Sequence, residues 1–151
     1  MLYIHIPFCK QACSYCNFHF STSMKTRDAV IDGICKELEM RRPELPAGSV
    51  PSVYFGGGTP SLLTEVELGR IFQVLYDNEY LTHPTSGSLN EPTNQQTNEL
   101  TLEANPDDLD EATIQTLAAS PINRLSIGIQ SFYEEDLRFM NRAHNATEAR
   151  S

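Results

Sequence analysis

The chain has 151 residues, with 11 Lys or Arg against 20 Asp or Glu, a formal net charge of −9. No Lys/Arg run is long enough to track a phosphate backbone, so the balance argues against nucleic acid or an anionic membrane and for a small-molecule partner. The 40% apolar share can fill one core, and no leader-like segment or run of about eighteen apolar residues occurs, so a one-domain cytoplasmic protein without a transmembrane segment is expected.

In chain order, Leu2 to Phe8 is rich in Ile, Tyr and Phe and predicts a first strand, ending at Cys9. The stretch Phe8 to Phe18 holds Cys9, Cys13 and Cys16 in a C-x3-C-x2-C spacing. Val30, Ile31, Ile34 and Leu38 then form the apolar stripe of a first helix, with Cys35 as a small core residue on that face. Ser52 to Phe55 predicts a second strand running into Gly56, Gly57 and Gly58. Thr64 and Glu67 have the spacing of a capping box, before a helix whose stripe is Leu68, Ile71, Phe72 and Leu75.

The stretch from Asp77 to Asn98 is polar and aperiodic and is expected to be a flexible inserted loop. Glu99 to Ala104 predicts the third strand, and Asp108 with Glu111 a cap for a third helix carrying Leu109, Ile114, Leu117 and Ala118. Arg124 to Gln130 predicts the fourth strand, and Ser131 with Glu134 caps a last helix over Tyr133 to Arg142. Strand and helix alternating four times predict an α/β fold with a parallel sheet, about half of an eight-stranded barrel. New helical character begins near Glu148, so a truncated C-terminus is expected.

In parallel α/β sheets ligands bind where strands end, and the unusual residues fall there: the cysteines, the glycines, Glu103 and Gln130. In a reducing compartment clustered cysteines serve as ligands or catalysts more often than as disulfides. One option adds His19 to the three cysteines as a closed Cys3His zinc site of structural purpose. The other gives three irons of a [4Fe–4S] cluster one thiolate each and leaves the fourth iron open to a ligand. Taken singly, the other positions have plain alternatives. The glycines can be an ordinary strand-to-helix turn, Glu103 a cap, Gln130 a sheet-end amide, Arg142 and His144 surface groups, Tyr3 and Tyr15 packing aromatics, and His5 a buried hydrogen-bonded residue.

The frame Tyr3-Ile4-His5-Ile6-Pro7-Phe8-Cys9, with Cys13, Tyr15 and Cys16, resembles the radical S-adenosylmethionine (SAM) superfamily. Together with Gly56-Gly57-Gly58-Thr59-Pro60-Ser61, Leu102-Glu103-Ala104-Asn105-Pro106 and the stretch from Arg124 to Phe132, it is similar to the oxygen-independent coproporphyrinogen III oxidase family. The true oxidases of that family look like Cys-Gly-Cys after the cysteine motif. Here Cys16-Asn17-Phe18 resembles the haem-chaperone branch.

The resemblance implies a partial radical-SAM β/α barrel. It implies that residues 1–151 are the N-terminal part of a core domain, with a flexible insert at about 77–98 and a C-terminal domain absent. Cys9, Cys13 and Cys16 would hold a [4Fe–4S] cluster whose open iron takes SAM and cleaves it to a 5′-deoxyadenosyl radical. Gly56, Gly57 and Gly58 would allow close backbone approach and exposed amides near the methionyl end, Thr59 and Pro60 would fix the turn, Glu103 and Gln130 would bond the ribose or amino group, and Arg142 would bind the carboxylate. Tyr15 would flank the adenine, and Tyr3 would point toward the sulfonium. Implied partners are a porphyrin or haem, an electron donor and, for a chaperone, a haem acceptor protein. Porphyrinogen oxidation is the alternative activity.

Overall fold

The computed structural model describes residues 1–82 and 98–150. Four parallel strands form one sheet in sequence order: β1 (Leu2–Ile6), β2 (Ser52–Gly57), β3 (Glu99–Ala104) and β4 (Arg124–Ile127). Helices α1 (Arg27–Arg41), α2 (Glu65–Asp77) and α3 (Glu111–Ala119) fill the connections, and a short α4 (Glu134–Phe139) follows β4. The fold is the α/β alternation expected from the sequence.

Strand alternation sorts the two faces of the sheet. Ile4, Ile6, Val53, Phe55, Leu100 and Leu102 are buried on one face beneath Ile31 and Leu38 of α1 and Leu68, Ile71, Phe72 and Leu75 of α2. The register sets Tyr3 beside Tyr54, His5 beside Gly56, and Glu103 beside Ser126 on the opposite face. Among the described residues no helix covers that face, which is polar and aromatic. Leu125 and Ile127 of β4 share the apolar face but remain exposed, because α4 sends only Leu137 fully into the interior.

Several element ends differ from the sequence reading. β1 stops at Ile6, because Pro7 has no N–H for the ladder, and Phe8 forms an isolated bridge to Ser21. β4 stops at Ile127, where tight bonds from Ile129 N to Ile127 O (3.1 Å) and Ser131 N to Ile129 O (2.8 Å) turn the chain through Gln130 at φ 66°. α4 covers only Glu134–Phe139, since Asn141 at φ 54° turns the chain out of the helix. In α3, Leu117 is buried while Ile114 and Ala118 are exposed.

The α2 capping box forms as expected, Thr64 Oγ1 accepting from Glu67 N (3.3 Å) and Glu67 Oε2 from Thr64 N (2.7 Å). The other two do not. Asp110, not Asp108, caps α3 by accepting from Thr113 N (2.8 Å), because Asp108 is drawn inward to Ser61 and Lys10. Ser131 accepts from Tyr133 N and donates to Asp136. The segment after α2 also departs from a loop beginning at Asp77: Glu79 at φ 57° turns the chain so that Tyr80 and Leu81 are buried, with Tyr80 Oη donating to Leu38 O (2.8 Å). The rest of the expected insert, 83–97, lies outside the described residues. Among the described residues no helix is long and apolar enough to cross a membrane.

Candidate cofactor site

The C-terminal ends of the four strands open into a cavity of about 370 Å³. Its walls include Cys9, Cys13 and Cys16, then Gly57, Gly58 and Thr59, with Glu103, Gln130 and Arg142 completing the ring. Tyr15 and Phe18 also border it. Of the cluster and cofactor residues that the resemblance implies at positions 3, 9, 13, 15, 16, 57, 58, 59, 103, 130 and 142, Tyr3 alone is not part of this wall. Its ring lies at 15° to that of Tyr54 with centroids 6.0 Å apart, over Gly56.

The cysteine loop is held from three directions. Its start is tied back by Cys9 N to Ser21 O (3.1 Å) and Ser21 N to Pro7 O (2.7 Å). Lys10 reaches sideways to Asp107 (3.0 Å) and to the buried Asp108. Residues from the end of α4 onward hold the far side. Ser14 N donates to Met140 O (3.1 Å), Gln11 Nε2 to Asn141 Oδ1 (2.7 Å), and Asn141 Nδ2 to Ala12 O (2.7 Å).

The glycine loop is shaped by the same crowding. Gly57 adopts φ 111°, and a Cβ there would strike the His5 ring. Gly58 N donates to Ile6 O (2.8 Å) and Thr59 N to Phe8 O (2.7 Å), so this backbone packs against the end of β1. The Gly58 amide, expected to face a methionyl group, is thus already engaged, as is that of Thr59. Gly57 N donates to Glu103 Oε2 (3.2 Å), and Tyr54 Oη donates to Glu103 Oε1 (2.7 Å), fixing that carboxylate at the cavity edge.

Arg142 joins the two sides of the cavity. Its Nη2 donates to Asn105 Oδ1 (2.7 Å) and Gly128 O (2.6 Å), and its Nη1 to Tyr15 Oη (3.2 Å) and Cys13 Sγ (3.5 Å). Among the described residues its Nε is buried without a hydrogen-bond partner, a donor that suits an anionic ligand group. His144, buried, places Nε2 2.9 Å from Ile129 O and Nδ1 3.5 Å from Arg142 Nη2. Asn105 reaches Thr59 Oγ1 with its Nδ2 (3.3 Å) and so couples the guanidinium to the glycine loop.

Burial pushes the Cys9 thiol up, opposed by the Thr59 hydroxyl and reinforced by Cys16 and Cys13. Burial likewise raises Tyr15, against the nearby Arg142 charge. Burial raises Tyr54, and its bond to Glu103 adds to the effect. For Lys10 burial acts downward, but hydrogen bonds to Asp108 and Asp107 outweigh it and hold the ammonium.

The donor set fits an iron–sulfur cluster better than zinc. A zinc ion gathers its donors within about 2.3 Å of one point. Among the described residues no three His, Cys, Asp or Glu side chains are placed to hold one ion, and His19 is exposed and does not line the cavity. The closed Cys3His arrangement is therefore not formed. A four-iron cluster takes one thiolate on each of three irons, and Cys9, Cys13 and Cys16 border one cavity without converging on a single point. The site residues the sequence did not reveal, Lys10, Gln11, Asn105, Asp108 and Asn141, act through contacts distant in the chain and carry no local signal.

The pattern of the Radical SAM superfamily matches residues 3–150. The "Heme chaperone HemW" of Escherichia coli (strain K12) is 33% identical over 99% of this chain and 36% of its own length. The mouse "Radical S-adenosyl methionine domain-containing protein 1, mitochondrial" is 33% identical over 98% of the chain and 31% of its length. Among solved structures, the radical SAM enzyme coproporphyrinogen III oxidase (HemN) from Escherichia coli superposes with a TM-score of 0.78 at 27% identity, over 97% of this chain and 31% of that one. The chain spans about a third of the length of the curated relatives it matches.

Proposed function

The chain belongs to the radical SAM superfamily, and from that premise we propose that it binds a [4Fe–4S] cluster and SAM and serves as a haem chaperone. The observation that carries the reading is the single cavity bordered by three cysteines, the glycine loop, Glu103, Gln130 and Arg142. Cys9, Cys13 and Cys16 would hold the cluster. When bound, the cluster supplies the electron that opens the carbon–sulfur bond of SAM.

The chain's own residues bind and orient. Arg142 offers its spare Nε to a carboxylate, and Glu103, pinned by Tyr54 and Gly57, presents a fixed acceptor to an ammonium or hydroxyl group. Gln130, held at φ 66° just past β4, adds an amide from the opposite side, and Tyr15 gives a flat wall beside Arg142. Phe18 is 67% exposed at the cavity border, where the oxidase pattern has no bulky side chain, and this supports the chaperone role. An electron donor and a haem acceptor would complete the partners.

A second reading, porphyrinogen oxidation, is favoured by the fold likeness to coproporphyrinogen III oxidase. Anaerobic reconstitution with iron and sulfide tests the first step: a brown protein with broad absorption near ~400 nm is expected. Iron-free, colourless protein would end the proposal. 5′-Deoxyadenosine release then reports on SAM, and decarboxylation of a porphyrinogen separates oxidase from chaperone.

A further inference from the structure

The segment Phe139 to Arg142 and the cysteine loop are about as far apart in the chain as any two parts of the fold, yet they meet along a continuous line. Ser14 uses both its backbone N, to Met140 O (3.1 Å), and its hydroxyl, to Phe139 O (3.0 Å). Gln11 Nε2 donates to both Asn141 O (2.9 Å) and Asn141 Oδ1 (2.7 Å), and Asn141 Nδ2 donates back to Ala12 O (2.7 Å). These bonds from Gln11 to Asn141 and from Asn141 to Ala12 need Asn141 turned out of the helix, and φ 54° there does so. Asparagine is among the few side chains that accept the left-handed region readily while still carrying a donor and an acceptor. The next residue is Arg142, whose Nη1 reaches Cys13 and Tyr15.

We propose that Asn141 and Gln11 are positioning residues: they clasp the cysteine loop to the end of α4 and fix Cys13 and Cys16 in the arrangement that retains the cluster. The consequence for the cluster rests on the cofactor reading above, whereas the clasp itself does not. Both lie outside the apolar core: Gln11 is half-buried at the cavity edge and Asn141 is exposed and not part of the cavity wall.

The test uses Asn141→Gly, which tolerates the left-handed backbone while deleting the amide, Gln11→Ala, and the double variant. Hydrogen exchange at the Ser14 amide is measured on the metal-free chain, and iron loss to a chelator on the reconstituted protein. Each single variant is expected to speed both by about tenfold, the effect of losing these hydrogen bonds, with the midpoint of thermal unfolding little changed. The double variant should fall short of the sum of the singles, because the Gln11 Nε2 to Asn141 Oδ1 bond is lost in both. Unchanged Ser14 exchange in either single variant, or fully additive effects in the double, would overturn the clasp. If wild-type chain takes up no iron and sulfide, the cofactor reading fails while the exchange comparison still decides the clasp. If Ser14 exchange quickens but iron loss does not, the proposed retention role is wrong.

Discussion

Gly58→Ala tests the close approach between the glycine loop and the end of β1. Gly58, unlike Gly57, is not in the left-handed region, so alanine there meets no backbone strain and any loss is steric. The added Cβ would stand 2.6 Å from Phe8 O, 2.8 Å from Ile6 O and 2.9 Å from Phe8 N. All three are backbone atoms, so no side chain can rotate aside. Relief requires the loop to retreat, lengthening the bonds from Gly58 N to Ile6 O and from Thr59 N to Phe8 O. Two such bonds at about 1 kcal/mol each, with about 1–2 kcal/mol for overpacking, give a loss of about 3–4 kcal/mol. That is a large part of the roughly 5–15 kcal/mol that holds a domain of this kind together. Urea unfolding followed by circular dichroism should show a midpoint lowered by roughly 1.5–2 M, at about 2 kcal/mol per molar. Gly69→Ala is the control: it sits inside α2 with nothing within 4 Å of the new Cβ, and should be neutral or stabilising by up to about 1 kcal/mol. A Gly58→Ala midpoint within about 0.3 M of wild type would show the approach to be looser than described.

Cys9→Ala, Cys13→Ala and Cys16→Ala should each abolish the absorption near ~400 nm after reconstitution, while Cys35→Ala, outside the cavity, should keep it; colour lost with Cys35 alone would reassign the ligands. Burial pushes Glu67 up, but hydrogen bonds from Arg27 (2.5 Å) and Thr64 outweigh it and leave the carboxyl below its ordinary range. Its contribution is therefore complete above its unfolded value near ~4.3 and lost as pH falls through the lower folded one. The stability gap between wild type and Glu67→Gln should be full above about pH 5 and close in acid; a gap that widened on acidification would reverse the sign argued here. Glu103→Gln should leave the fold intact and weaken SAM binding about tenfold or more, read by calorimetry on reconstituted protein, since a charged acceptor becomes neutral. Equal affinity would remove Glu103 from the site.

The strands and the first two helices were legible because their signals are local. Leu68, Ile71, Phe72 and Leu75 recur at helical spacing and all four are buried, and Gly56 to Gly58 mark the end of β2. The cysteine motif, Gly57, Gly58, Glu103 and Gln130 stand out as residue types at strand ends, Arg142 was pointed to by the resemblance alone, and all of them border one cavity. What failed was decided by contacts distant in sequence. Asp108 has the spacing of a cap, yet Ser61 and Lys10 claim it, and Asp110 takes the role. Tyr80 and Leu81 follow a polar helix end and still reach the core, because a left-handed Glu79 reverses the chain. The ring contact of Tyr3 with Tyr54, over a Gly56 that has no side chain, also joins residues distant in sequence.

The bond from Ser14 to the Phe139 carbonyl spans 125 residues of chain. During synthesis at about 5–20 residues per second, the three thiols would emerge roughly 6–25 s before the carbonyls that secure their loop. Over that interval they are ungathered nucleophiles, open to oxidants and stray metal. Loading of iron and sulfide onto a nascent chain would meet an unfastened loop, so maturation of this site belongs after β4 and α4 have emerged.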